Sequence, residues 1–224
     1  MTLSSSADLH QLIRTRRSVR RFLPDPVPHA LIERVLETGT FAPSAHNRQP
    51  WRFAVLTTPA AKTHLADAMG EDFRRDLRAD GLSPEAVETQ LTRSRTRLLE
   101  APVVILLCLT MTDMDTYPDE KRHRAEYLMA TQSVALVGGT ILLAAHAEGL
   151  GGVWVCAPLF APDTVRRALS LPPDWEPQGM LLVGYPAKVP EARARKAVEE
   201  VTFFVNPPLT PHPSTTLEKN NADS

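Results

Sequence analysis

KRHRAEYLMATQSVALVGGTILLAAHAE, residues 121–148, is the stretch whose reading decides the fold. It reads as one long helix, polar at first and apolar nearly all round from Val134. Its core, Val134 to Ala145, is the longest apolar stretch of the chain at twelve residues, and it contains Gly138, Gly139 and Thr140. A membrane span needs about twenty. A helix this apolar and this short is expected to be buried on every side, as the spine of a water-soluble core. Gly149 ends it.

Downstream lie a strand from Gly152 to Cys156, a helix opened by Pro162-Asp163, and a last core strand from Met180 to Tyr185. Upstream, Leu9, Leu12 and Ile13 share one helical face, and Pro28 opens a helix with Leu31, Ile32, Val35 and Leu36 together, closed by Gly39. A loop, FAPSAHNRQP, runs into a strand from Trp51 to Thr57. Thr58-Pro59 starts another helix, and Ser83-Pro84-Glu85 the next, with Ser83 as N-cap. The charged, loosely periodic stretch from about 70 to 100 reads as a solvated insertion or lid. Pro102 leads into VVILLCLT, a run typical of a fully buried strand. Helices and strands mix without strict βαβ alternation or internal repeat, which is an α+β class. One domain is expected over residues 1–205, with 206–224 a polar, Pro-rich, disordered tail.

Composition narrows the function. Of 224 residues, 43% are hydrophobic and 23% charged, which excludes a disordered chain. A formal net charge of -1 argues against a nucleic-acid partner. Cys108 and Cys156 form no CxxC pair, so a disulfide framework and a cysteine zinc site drop out. The Ser-rich N-terminus has no apolar core of signal-peptide length. A cytoplasmic protein with no membrane partner is expected. Arg outnumbers Lys twenty to five. That fits oxyanion recognition by the guanidinium fork, and equally a bias of genomic base composition.

Several motifs are absent. Gly149 and Gly151 fit G-x-G, but position 154 is Trp, and these glycines end a helix and precede a strand, the reverse of a dinucleotide fingerprint. No phosphate-binding Walker loop and no G-x-S-x-G elbow occur, and the His residues lack ligand spacing, so no metal site is assigned. Two constellations remain. Arg16-Arg17-Ser18-Val19-Arg20 sets fork donors and a hydroxyl together, able to hold a phosphate and a carbonyl-rich ring, or to serve as a solvated basic helix end. Pro43-Ser44-Ala45-His46-Asn47-Arg48-Gln49-Pro50-Trp51 places two amide side chains on a proline-braced loop, which is also an ordinary helix-to-strand connection.

Together and in this order, R-x-S-x-R and then P-S-x-x-N-x-Q-P-W resemble the FMN-dependent nitroreductase family. GLGGVWV resembles its glycine-to-strand segment beside the flavin ring, and ARARKAVEEV its basic phosphate-binding segment, so the likeness spans residues 10–204. LRADGLSPEAVE, YPDEKRHRAEYLM and AEGLGGVWVCAPLFAPDTVRRALSLPPDWEP look closest to the C-terminal flavin reductase domain of the bifunctional enzyme of coenzyme F-420 (deazaflavin) biosynthesis. There the domain reduces a dehydro precursor of the coenzyme. Two departures bear on the substrate. Cys156-Ala157-Pro158 replaces small hydroxyl residues, and PSAHNRQPW is closer to general nitroreductases.

The resemblance implies a nitroreductase-like fold, a central mixed sheet flanked by helices around the long buried helix, in a domain-entwined homodimer. By motif, Arg16, Arg17, Ser18 and Arg20 would contact FMN. Ser44, Asn47 and Gln49 would reach it from the partner subunit. Val155, Cys156 and Ala157 would line the ring, and Arg193 and Arg195 would meet the phosphate. NAD(P)H is the implied donor and a conjugated small molecule the acceptor: a dehydro-deazaflavin, a nitro compound or a quinone. A flavin-binding protein without turnover is the alternative. No catalytic side chain is required, because the cofactor carries the chemistry. Cys156 is expected to pack as a small hydrophobe rather than react.

Overall fold

In the computed structural model, which describes residues 5–205, the apolar run Val103–Leu109 forms a strand in which every residue is buried. The chain divides into two units, Met1–Glu191 and Ala192–Ser224. Residues 206–224, expected to be a disordered tail, lie outside the described residues.

In the first unit the helices are α1 (Ser6–Thr15), α2 (His29–Gly39), α3 (Pro59–Ala79), α4 (Pro84–Leu99), α5 (Glu120–Ala147) and α6 (Pro162–Ala168). The strands are β1 (Trp51–Leu56), β2 (Val103–Leu109), β3 (Gly151–Val155) and β4 (Glu176–Gly184). The second unit carries α7 (Val198–Val201), whose start is held by Ala197 N–H donating to Glu200 Oε1 at 3.0 Å.

The sheet order is β1–β2–β4–β3, and each neighbouring pair is antiparallel. Trp51 faces Leu109, Val103 faces Val183, and Val155 faces Met180. The sheet is antiparallel throughout its four strands rather than mixed as expected; the one parallel contact, an isolated bridge from Ser18 to Gly152, lies outside them, where the chain leaving α1 runs beside β3.

Alternation along β2 divides the core in two. Val103, Ile105, Leu107 and Leu109 pack with Ile32, Val35, Val134, Val137 and Ile141 of α2 and α5. Val104, Leu106 and Cys108 pack on the other face with Leu65, Leu98 and Val165 of α3, α4 and α6. A strand covered on both faces needs apolar residues at every position, which is why β2 reads as an unbroken run.

Asp119 caps α5, its carboxylate accepting from Arg122 N–H at 3.0 Å. Gly149, at φ +80°, ends it, with Leu150 N–H donating to Ala145 O at 2.8 Å and Gly149 N–H to His146 O at 3.1 Å. By length and composition α5 could cross a membrane. It instead lays one face, Ala130, Val134, Val137 and Ile141, into the core. The expectation of burial on every side is corrected: Leu128, Gln132, Ala135, Leu136 and Gly139 form an exposed stripe. Among the described residues nothing covers that stripe.

The charged 70–100 stretch is not a loose insertion but the body of a helical hairpin. Leu77, Val87 and Leu91 form a small core of their own with Phe73 and Leu82. Arg74 Nε pairs with Glu88 at 3.1 Å and Arg95 Nε with Asp67 at 2.8 Å across the two helices. The many exposed ion-paired residues obscured the helical period.

Candidate functional site

Helix α1 stops at Thr15, and Arg16 to Arg20 run on in extended form. Val19 is buried, and its N–H donates to Gly152 O at 3.1 Å. This approach is possible because position 151 is Gly: a Cβ there would lie 2.8 Å from Val19 Cβ. The bridge therefore fixes Ser18 and Arg20 beside β3. Arg20 is exposed and donates to Ser18 O at 3.2 Å. Arg17 donates to Arg14 O at 2.6 Å and Arg16 O at 2.9 Å, so it also closes the end of α1. His146 Nε2 lies 3.0 Å from Thr15 Oγ1. Burial, and then the charges of Arg16 and Arg17, hold its pKa below the usual imidazole value.

The loop before β1 is strained. His46, Asn47 and Gln49 have φ of 50°, 54° and 49°. Asn and His adopt this left-handed region more readily than Gln does. Gln49 N–H donates to Ser44 Oγ at 3.1 Å, and Gln49 Nε2 to Asn47 Oδ1 at 3.3 Å. Both amide side chains stand on the exposed surface. Ala45 N–H donates to the buried Ser133 Oγ of α5 at 3.3 Å, and Arg48 pairs with Asp115.

The two constellations do not meet within one chain. The Arg16–Arg20 segment lies along β3, and the 44–49 loop leads into β1. These are opposite edges of the sheet, three strand spacings or roughly 14 Å apart.

Beyond β3 the chain enters a short 3-10 turn, Ala157–Phe160. Val155 and Ala157 pack inward against the core shared with α3 and α6. Cys156 points the other way and is exposed, its Sγ 3.2 Å from Trp154 Nε1. In this chain it is not the buried small hydrophobe expected. The thiol shares the face of Trp154 but stands one residue past the end of β3, where the core no longer covers it. Cys108 is the buried one, and desolvation pushes its pKa up to about 12. Behind Ala157, a cavity of about 660 Å³ opens between Ala157–Ala161 and the α3–α4 hairpin, with Met69, Phe73 and Leu91 among its walls. That is room for a small-molecule ligand. Arg193 and Arg195 belong to the second unit, where both are exposed and precede α7.

Two polar groups escaped the sequence reading, Glu126 and Ser133, both buried on α5. The one available signal was a carboxylate and a hydroxyl seven residues apart on the face that carries Ala130 and Val134.

Comparison with known proteins agrees with this architecture. Residues 13–185 match the nitroreductase family model. The chain is 33% identical over 187 residues to a 5,6-dimethylbenzimidazole synthase of Rhodospirillum rubrum, covering 80% of this chain and 82% of the relative. It is 30% identical over 213 residues to an NADH dehydrogenase of Thermus thermophilus, covering 84% and 92%. Among solved structures, a Desulfovibrio desulfuricans protein described as a nitroreductase, in complex with FMN, aligns with a TM-score of 0.68 at 25% identity, covering 91% of this chain and all of that one. The chain belongs to the nitroreductase family, a family of oxidoreductases.

Proposed function

We propose that this chain is an FMN-dependent oxidoreductase that works as a homodimer, with residues 1–205 forming its flavin domain. The observation that carries the reading is the opposite-edge placement of two donor sets, the exposed Arg20 with the half-buried Ser18 beside β3 and the exposed Asn47 and Gln49 before β1. Each set is half of a site that a second copy completes. The open stripe of Leu128, Ala135 and Leu136 on α5 supplies an apolar face for that second copy. The relative solved with FMN and the NADH dehydrogenase relative support the cofactor and an NAD(P)H donor.

The donor chemistry fits FMN. Arg16, Arg17, Ser18 and Arg20 present cations and a hydroxyl to the phosphate-bearing chain and the carbonyl edge of the ring, and Arg193 and Arg195 suit the phosphate. Asn47 and Gln49 of the other copy donate and accept at the ring's polar edge, steadied by Ser44. Val155, Cys156 and Ala157 form the wall of the ring pocket. Bound there, FMN supplies the hydride relay from NAD(P)H to a conjugated acceptor. Arg20 would supply a fixed positive charge to favour the anionic reduced flavin. No acid, base or nucleophile of the protein is required. The finer reading of the acceptor is a dehydro-deazaflavin precursor of coenzyme F-420, and nitroaromatics and quinones are the alternatives. A second reading has its own observation, the 33% identity to a 5,6-dimethylbenzimidazole synthase.

One experiment separates these. The purified protein is loaded with FMN, reduced anaerobically by NADH or NADPH, and offered each acceptor; for the second reading, a separate portion of the reduced protein is exposed to dioxygen as the oxidant, and release of 5,6-dimethylbenzimidazole from the flavin is followed by mass. Reoxidation by one acceptor class names the substrate. Binding without turnover leaves a flavin-binding protein, and no FMN bound refutes the proposal. Co-assembly of Arg20→Ala with Gln49→Ala chains is expected to restore one intact site per mixed dimer. No restoration would refute sharing between copies.

A further inference from the structure

Three residues of the 44–49 loop stand at positive φ without being glycine. Strain of this kind persists only where the surroundings over-determine it. Two buried polar groups on α5 provide that restraint. Ser133, 2% exposed, donates to Met129 O at 2.8 Å and accepts from Ala45 N–H at 3.3 Å. Glu126, 1% exposed, accepts from Asp115 N–H at 3.0 Å, and the Asp115 carboxylate pairs with Arg48 inside the loop. Burying a hydroxyl and a carboxylate costs stability that Ala or Leu would not. A mid-helix Ser bonded back to its own turn also slightly weakens the helix. Ser133 bonds the loop directly, and Glu126 reaches it one step removed, through Asp115.

We infer that Ser133 and Glu126 are positioning residues that hold the 44–49 loop in the strained shape in which it meets FMN. They stand seven residues apart, two helical turns, on the face of α5 turned toward the loop. Leu128, Ala135 and Leu136 lie on the open face of the same helix. Helix α5 thus couples the surface offered to a second copy to the loop offered to that copy's flavin. The inference rests on the flavin reading of the loop.

Hydrogen exchange on the full flavin-free chain and FMN titration test it together. Ser133→Ala is expected to raise exchange in the segment 42–50 and weaken FMN roughly threefold to tenfold, the worth of one hydrogen bond. Its melting temperature should stay level or rise, since Ala favours the helix. Glu126→Ala is expected to do the same to the loop, while Glu126→Gln, which keeps the acceptor for Asp115 N–H, should bind FMN like the parent. The visible circular dichroism of bound FMN should change in the two Ala variants and not in Glu126→Gln. If Glu126→Ala does not fold, Ser133→Ala decides alone. A parent that takes FMN, with a Ser133→Ala variant that binds it equally and exchanges equally, overturns this inference only. A parent that takes no FMN overturns the cofactor reading and this inference with it.

Discussion

Gly138 is the point at which α5 touches the sheet, and replacing it with Ala is expected to destabilise the protein although Ala is the better helix former. A Cβ at 138 would lie 2.2 Å from Trp154 Cζ3, 2.7 Å from Leu107 Cδ1 and 3.0 Å from Trp154 Cε3. Carbon atoms pack at about 3.5–4.0 Å, so the overlap with the indole exceeds 1 Å. The ring has nowhere to go. On its other side a Cβ at Gly179 would lie 2.9 Å from Trp154 Cε2, which places the indole between the helix and β4 with a glycine on each flank. Overpacking a core by one methyl costs typically 1–3 kcal/mol where neighbours can adjust. Here they cannot, and the upper end applies. The helix-propensity gain of Gly→Ala, up to about 1 kcal/mol, offsets part of it. The net loss is about 2 kcal/mol, or a melting temperature lower by roughly 4–8 °C for a chain of this size. Gly70→Ala in α3 is the control, since nothing lies within 4 Å of its added Cβ, and it should hold or raise the melting temperature. The assay is thermal unfolding followed by circular dichroism at matched protein concentration. A Gly138→Ala variant that melts at or above the parent would refute the wedge argument.

Iodoacetamide on the native, flavin-free chain should label the exposed Cys156 and spare Cys108, whose burial keeps it a thiol; peptide masses report which. The folded pKa of His146 is lowered, so the unfolded chain binds that proton more tightly. Stability should be level above about pH 6.5 and fall as pH drops below it, and an NMR titration should show this pKa rise when FMN neutralises Arg16 and Arg17. Leu136→Arg on the open stripe of α5 should yield monomers by light scattering and lose FMN, with helix content unchanged by circular dichroism. Gly151→Ala should weaken FMN more than it lowers the melting temperature, because its Cβ pushes at Val19 and releases the Ser18 bridge; unchanged affinity would sink that account.

The elements were legible where one physical demand governed the residue choice. The unbroken run of β2, the Ser83 cap, the proline starts and the Gly149 stop each have a single cause, and each falls within a residue or two of its expected place. Strand β4 begins at Glu176, four residues before the expected Met180, because Gln178 is buried though polar, its amide donating to the half-buried Glu176 carboxylate at 2.9 Å. The α3–α4 hairpin was hidden by its exposed ion pairs. In the site, the chemistry of the donors could be read, but not what restrains them. The left-handed loop, the Ser133 and Glu126 restraints and the outward thiol of Cys156 all depend on which element a residue faces, and residue type alone does not specify that.

GLGGVWVCA, residues 149–157, is one device with R-x-S-x-R. Gly151 lacks a side chain where Val19 enters, and Gly152 lacks one where Leu142 of α5 would collide at 2.7 Å. Those two absences draw the Arg16–Arg20 segment and helix α5 against the same strand. Two residues on, Trp154 takes up the space that Gly138 and Gly179 leave, and its indole nitrogen meets Cys156 Sγ. Position along β3 therefore sets, in order, where the arginines stand, how far the helix lies from the sheet, and which way the thiol points. The 44–49 loop hangs from the same helix through Ser133, at the other edge of the sheet. A displacement of α5 relative to the sheet would move both halves of the proposed flavin site at once, so that small residues at 138, 151 and 152 would matter to a cofactor that none of them needs to touch.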